Sequence, residues 1–355
     1  MAHDDRHSIL MARRPTCAIV SFRLGHIDGV SVVAATWVKA FEALGFDVHT
    51  VAGAGEVDEV VPGLALDARI EPGQSELDRA LRGADIVVAE NILTIPMNLA
   101  ASRALAAALR GRRAILHHHD PPWQRERYAH ITALPPHDPQ WIHVTINELT
   151  RRQFAERGWE ATTIYNAFDV FEPLGDRQSA RRAIDVSPTE LLVVHPVRAI
   201  ARKNIPAALA LAEGLGASYW LMGGVEEGYG SELARVLDRA RTRVIHQSMS
   251  SRADFYAAAD LVAFPSIWEG FGNPPIEAAI HRKPAAVSNY PVSSELRTLG
   301  FRWFDPDDIG ALRAFLARPD RELLDHNQLL ARRHFSHDSM RAQLQSLLAR
   351  AGWLA

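Results

Sequence analysis

Short apolar runs alternate with amphipathic stretches along most of the chain. Cys17–Phe22 predicts a strand, Val32–Leu44 a helix closing at Gly45, and Asp47–Val51 the next strand. Further strands are predicted at Ile86–Ala89, Ala114–His118 and His143–Ile146, with helical segments between them. After the loop Pro173–Arg177 the alternation restarts with the strongly apolar Leu191–His195. Strands follow at Tyr219–Met222, Val244–His246, Leu261–Phe264 and Ala285–Ser288, and helices at Ile205–Leu215, Gly230–Arg239, Arg252–Ala258 and Pro275–His281. Strands that alternate with helices imply parallel sheets covered on both faces. The economical reading is two Rossmann-like α/β domains, 1–170 and 171–335, with a final helix in 336–355 packing back on the first.

Size agrees, because 355 residues exceed the usual single core. The net charge of -3 makes no electrostatic case for nucleic acid. One cysteine, Cys17, leaves no disulfide framework and fits a cytoplasmic protein. Met1–Pro15 is polar and lacks the apolar centre of a signal peptide, so it reads as a frayed leader. No apolar run reaches the roughly 18 residues of a membrane helix. Peripheral membrane contact, which needs only a surface patch, stays open.

Sheets of this type bind ligands beyond the carboxyl ends of their strands. Just there, Leu261–Glu277 reads as strand, glycine-rich turn and helix opening. Gly270 and Gly272 let a ligand approach the backbone, and the free N–H groups near Asn273 suit an anion. Glu269 and Glu277, seven residues between them, can accept hydrogen bonds from the hydroxyls of a sugar and a ribose. The plainer alternative is a locally paired Glu277 and a solvated Glu269. Arg198 and Lys203, after the strand Leu191–His195, offer a fork and a point charge for a diphosphate. A solvated basic loop is the alternative there, although lysine occurs only at 39, 203 and 283.

Glu269-Gly-Phe-Gly-Asn-Pro-Pro-Ile-Glu277 resembles the Glu-x7-Glu signature of retaining glycosyltransferase family 4, and Arg198-x4-Lys203 resembles that family's basic pair. The resemblance implies a GT-B fold with two Rossmann-like domains facing each other across a cleft. It implies metal-independent, retaining transfer of a hexose from a nucleotide sugar, with no cofactor required. Glu269 would contact the transferred sugar and Glu277 the ribose. The amides of Phe271, Gly272 and Asn273 would line the donor site, with Gly223 in a turn beneath the nucleotide. Arg198 and Lys203 would stabilise the leaving phosphate. Gly29, just before the first helix in the loop Phe22–Val30, suits close approach of a phosphate, and His26 or Arg23 in that loop is either a substrate contact or plain loop surface.

His117-His118-His119-Asp120 ends a strand, and alternation places His117 and His119 on one face and His118 on the other, so three ligands to one metal are not implied. The family resemblance makes His119 the histidine beside the donor sugar, with His118 the alternate. Trp123, Gln124, Arg125 and Tyr128 are acceptor-side candidates. GDP-mannose is the first donor expectation and UDP-glucose the second; a glycan, a lipid or a small molecule would accept. A GT-B epimerase and a non-catalytic sugar-nucleotide-binding protein are the alternatives. Gly53-Ala-Gly55 lacks the third glycine of a dinucleotide fingerprint.

Tyr165-Asn-Ala-Phe-Asp169 resembles a family segment with Ala167 in place of glycine. Ser294-Glu295 resembles another, of unassigned role. Arg282 stands where the family has glycine before Pro284.

Overall fold

The computed structural model describes residues 13–25 and 28–354. His26 and most of the Met1–Pro15 leader lie outside the described residues.

Among the described residues twelve strands are placed, all but the two-residue β3 and β7 at the predicted apolar runs: β1 Thr16–Ser21, β2 Asp47–Ala52, β3 Glu59–Val60, β4 Ile86–Glu90, β5 Ala114–His118, β6 Trp141–Thr145, β7 Thr162–Thr163, β8 Leu192–His195, β9 Ser218–Leu221, β10 Val244–His246, β11 Leu261–Phe264 and β12 Ala285–Val287. One sheet has the order β3-β2-β1-β4-β5-β6-β7 and the other β10-β9-β8-β11-β12. In each, the first long strand lies inside the sheet and the order reverses beside it, β1 between β2 and β4, β8 between β9 and β11, all four pairs parallel. That reversal is the switch point at which open α/β sheets bind ligands. Every residue of β4, β5, β8, β9 and β11 is buried, as strands covered on both faces require.

The chain forms two compact units, one ending at Val144 and taking in the residues from Leu344 on, the other Thr145–Gln343. The division therefore falls well before residue 170. Residues 145–170 join the second unit through specific bonds. The Asn147 amide donates to the Gly270 carbonyl (2.5 Å), and Glu295 accepts from the N–H groups of Glu148 (2.9 Å) and Leu149 (2.8 Å) and from the Tyr165 hydroxyl (2.9 Å). Glu295 thus caps the helix Glu148–Ala155 with charge matched to its positive end. The final helix, His337–Arg350, runs through the division.

Two departures from the expected glycines resolve differently. Arg282 holds the left-handed backbone a glycine would supply (φ 53°) and pairs with Asp325 at 2.5 Å. Ala167 is not among the left-handed residues, so its turn has another form.

Candidate active site

In the second unit the chemistry gathers beyond the ends of β8 and β11. Lys203 closes a short 3-10 turn, Ala201–Lys203, after β8, and its ammonium is buried against Glu269 Oε1 at 2.5 Å. Arg202 meets the other oxygen of the same carboxylate at 2.6 Å and donates to the Trp268 carbonyl at 3.1 Å. Glu269 is 6% exposed, so the solvated alternative does not hold for it. Burial pushes its carboxyl up, and the Lys203 and Arg202 charges more than offset that, holding it below the usual range. Burial pushes Lys203 down to about 8, with Glu269 pulling the other way. Lys203 also lies 5.3 Å from the centre of the Phe264 ring, a cation–π contact.

The turn after Glu269 is built for close backbone approach. Gly272 has φ 99°, and a Cβ there would stand 2.2 Å from the Tyr290 hydroxyl. It opens the helix Asn273–Ile280, whose first turn carries Pro274 and Pro275. Phe271 turns its ring into the core, near Tyr165 (6.0 Å) and Phe335 (5.5 Å). Asn273 accepts from the Asn166 amide at 3.2 Å. Replacing Gly272 with alanine should cost about 1–3 kcal/mol of stability, from backbone strain and the clash with Tyr290. An unchanged midpoint of urea unfolding would contradict this.

Other candidates are placed apart from this pair. Arg198 meets Glu226, in the loop after β9, at 2.5 Å, both side chains well exposed. Gly223 packs under Arg198: a Cβ there would lie 2.3 Å from the Val197 carbonyl oxygen. Glu277 is paired locally, accepting from the Tyr256 hydroxyl (2.6 Å) and Arg252 (3.0 Å). Arg202, Tyr290, Tyr256 and Arg252 were not singled out by sequence, and adjacency to Lys203 was the one signal for Arg202.

In the first unit, Gly29 opens the helix Gly29–Ala43 and has open space where a Cβ would stand. The Asp28 side chain already accepts from Val30 N–H and Ser31 N–H (3.1 Å each), and Arg23 pairs with it at 3.1 Å. The amides of that N-terminus thus have a carboxylate on them. His117 and His119 do share a face, both against the fully buried Glu90. His118 turns the other way, to Thr94 (2.7 Å) and His143 (2.9 Å). Of the two histidines, His119 is the one on the Glu90 side.

Glu90, His117 and His119 are also the donor set, among the described residues, whose ligand atoms lie within 4.8 Å of one another. The two ring nitrogens engage different oxygens of the carboxylate, His117 as a hydrogen bond and His119 as a close ion-pair contact. No helix of the described residues is long and apolar enough to cross a membrane.

These two α/β units, with a basic turn after β8 and an acidic turn after β11, have the GT-B fold, and solved structures agree. HepE of Anabaena, in complex with UDP-glucose, superposes with TM-score 0.75 at 18% identity, over 94% of this chain and 99% of that one. Sucrose-phosphate synthase of Thermosynechococcus elongatus gives 0.72 at 15%, over 95% and 99%. Mannosylglucosylglycerate synthase of Thermotoga maritima is 24% identical over 94% of this chain and 98% of its own, and that of Petrotoga mobilis 24% over 80% and 84%. Residues 176–318 match the family model described as glycosyl transferases group 1.

Proposed function

We propose that this protein transfers a hexose, with retention at the anomeric carbon, from a nucleoside diphosphate sugar to a hydroxyl of a small polar acceptor. The observation that carries the reading is the buried Lys203–Glu269–Arg202 cluster beside the left-handed turn at Gly272. Two cations held by one carboxylate are a preorganised site for an anion. A diphosphate competes with Glu269 for those cations, and the carboxylate so released can accept from sugar hydroxyls. Charge growing on the leaving phosphate then meets Lys203 and Arg202, with Arg198 joining from the turn beside it. Electrostatic stabilisation comes from these side chains, and the proposed mechanism needs neither metal nor cofactor.

GDP-mannose is the proposed donor and UDP-glucose the second. The names of the two curated relatives support mannosyl transfer to a glucosylglycerate-like acceptor. HepE's complex supports the second donor. A panel of nucleotide sugars read by thermal shift tests the reading, since a donor stabilises the folded state by linkage. GDP-mannose or UDP-glucose should raise Tm in proportion to the logarithm of its concentration. No shift with any nucleotide sugar would contradict the proposal.

The Lys203 ammonium gives a pH prediction. Above pH about 8 it loses its proton, so kcat/KM for the donor should fall about tenfold per pH unit. The folded value lies below the ordinary lysine value of 10.5, so between the two the unfolded chain holds the extra proton and folding stability rises with pH. Activity is therefore lost without unfolding. In Lys203→Arg the descending limb should move beyond pH 10; a limb that stays in place would assign it elsewhere.

A further inference from the structure

At the carboxyl end of β4, two consecutive residues act on one histidine. Glu90 has no solvent exposure, and its two oxygens meet His117 Nδ1 (2.9 Å) and His119 Nε2. Asn91 is left-handed (φ 58°), unusual for a residue with a Cβ, and its side-chain oxygen accepts from the backbone N–H groups of His119 (3.1 Å) and Asp120 (3.3 Å). The Asn91 N–H donates to the His117 carbonyl at 2.9 Å, and the Ser21 hydroxyl to the Glu90 carbonyl at 2.9 Å. Trp37 packs its ring 4.3 Å from that of His117, and His117 stands edge-on to His119 at 4.8 Å. The ring and the backbone of His119 are thus both fixed, from adjacent residues, on the ligand-binding end of the sheet.

We propose that Glu90 and Asn91 are positioning residues for His119: Glu90 holds the imidazole with its hydrogen on Nε2 and its lone pair on Nδ1, and Asn91 fixes the backbone that aims it. A buried carboxylate that is ionised only accepts, so each nitrogen facing it carries a hydrogen. Burial pushes Glu90 up, and the two imidazoles outweigh it, bringing the carboxyl down to about 2. The lone pair on His119 Nδ1 is then available to accept from a hydroxyl. This inference rests on the proposed transfer reaction for its kinetic consequence, and on geometry alone for the tautomer.

The test begins with the unaltered protein. Long-range ¹⁵N–¹H correlation of histidine-labelled protein, with His119 assigned by its loss in His119→Gln, should show the Nε2–H tautomer. A hydrogen on Nδ1 instead would overturn the proposal, and so would stoichiometric zinc held by Glu90, His117 and His119 in the purified protein.

The Glu90→Gln variant should mix the His119 tautomers and lower kcat about 100-fold, with donor KM within about threefold. Asn91→Gly, which tolerates the left-handed backbone and keeps Glu90, should lower kcat about tenfold with KM equally unmoved. Wild-type kcat in either folded variant would refute the positioning role. If wild-type protein transfers no sugar but shows the Nε2–H tautomer, the transfer reading fails and the Glu90 assignment stands.

Discussion

Glu269→Gln should lower kcat by about 10²–10³-fold while the protein stays folded. The carboxamide keeps the shape of the side chain but not its charge. Lys203 and Arg202 would then face a neutral group at distances of 2.5 and 2.6 Å. Diphosphate binding would tighten, because the competing anion is gone, whereas the hydroxyl contacts of a carboxylate would weaken. The expected pattern is a donor KM unchanged or lower, with kcat carrying the whole loss. Glutamine is the better probe than alanine, since removing one partner of a buried pair can cost about 3–5 kcal/mol of stability. Steady-state rates with a fixed acceptor check this; near-wild-type kcat would remove Glu269 from the site.

Lys203→Ala should have the opposite signature. Glu269 keeps Arg202, so the carboxylate remains paired, but the buried point charge nearest it is lost. Ground-state grip on the diphosphate and stabilisation of the leaving phosphate both fall. The expected result is a loss of about 10³-fold in kcat/KM, shared between KM and kcat. Because burial already disfavours the ammonium, deleting it should not unfold the protein. Full activity with a raised Tm would reduce Lys203 to a structural partner of Glu269.

The sequence reads the scaffold well where burial is continuous. Leu261–Phe264 and the helices Ile205–Leu215 and Arg252–Ala258 stand where their apolar patterns put them. Long-range polar pairing is what pattern does not expose. The unit boundary depends on Asn147 reaching Gly270 and Glu148 reaching Glu295, more than a hundred residues away. Lys203 and Glu269 each stand out in the sequence as candidates, but their direct pairing across 66 positions does not. Arg202 gave no contrast in a chain whose basic residues are nearly all arginine. Glu90 was hidden differently: the apolar run ends at Ala89, so the strand was read one residue short. The strand's final, fully buried carboxylate is the one that holds two histidines.

Glu277 shows the limit of a motif. Its spacing from Glu269 is that of the family signature, yet its oxygens are taken by Tyr256 and Arg252 from the helix Arg252–Ala258. A ribose would find a carboxylate whose orientation is already fixed, which favours binding without reorganisation.

The most direct test of the central claim is the product itself. Purified protein incubated with GDP-mannose and a glucosylglycerate acceptor, then with UDP-glucose in its place, should release the nucleoside diphosphate and yield a glycoside whose anomeric NMR coupling keeps the donor's α configuration. A β-configured product, or no transfer from either donor, would contradict the account.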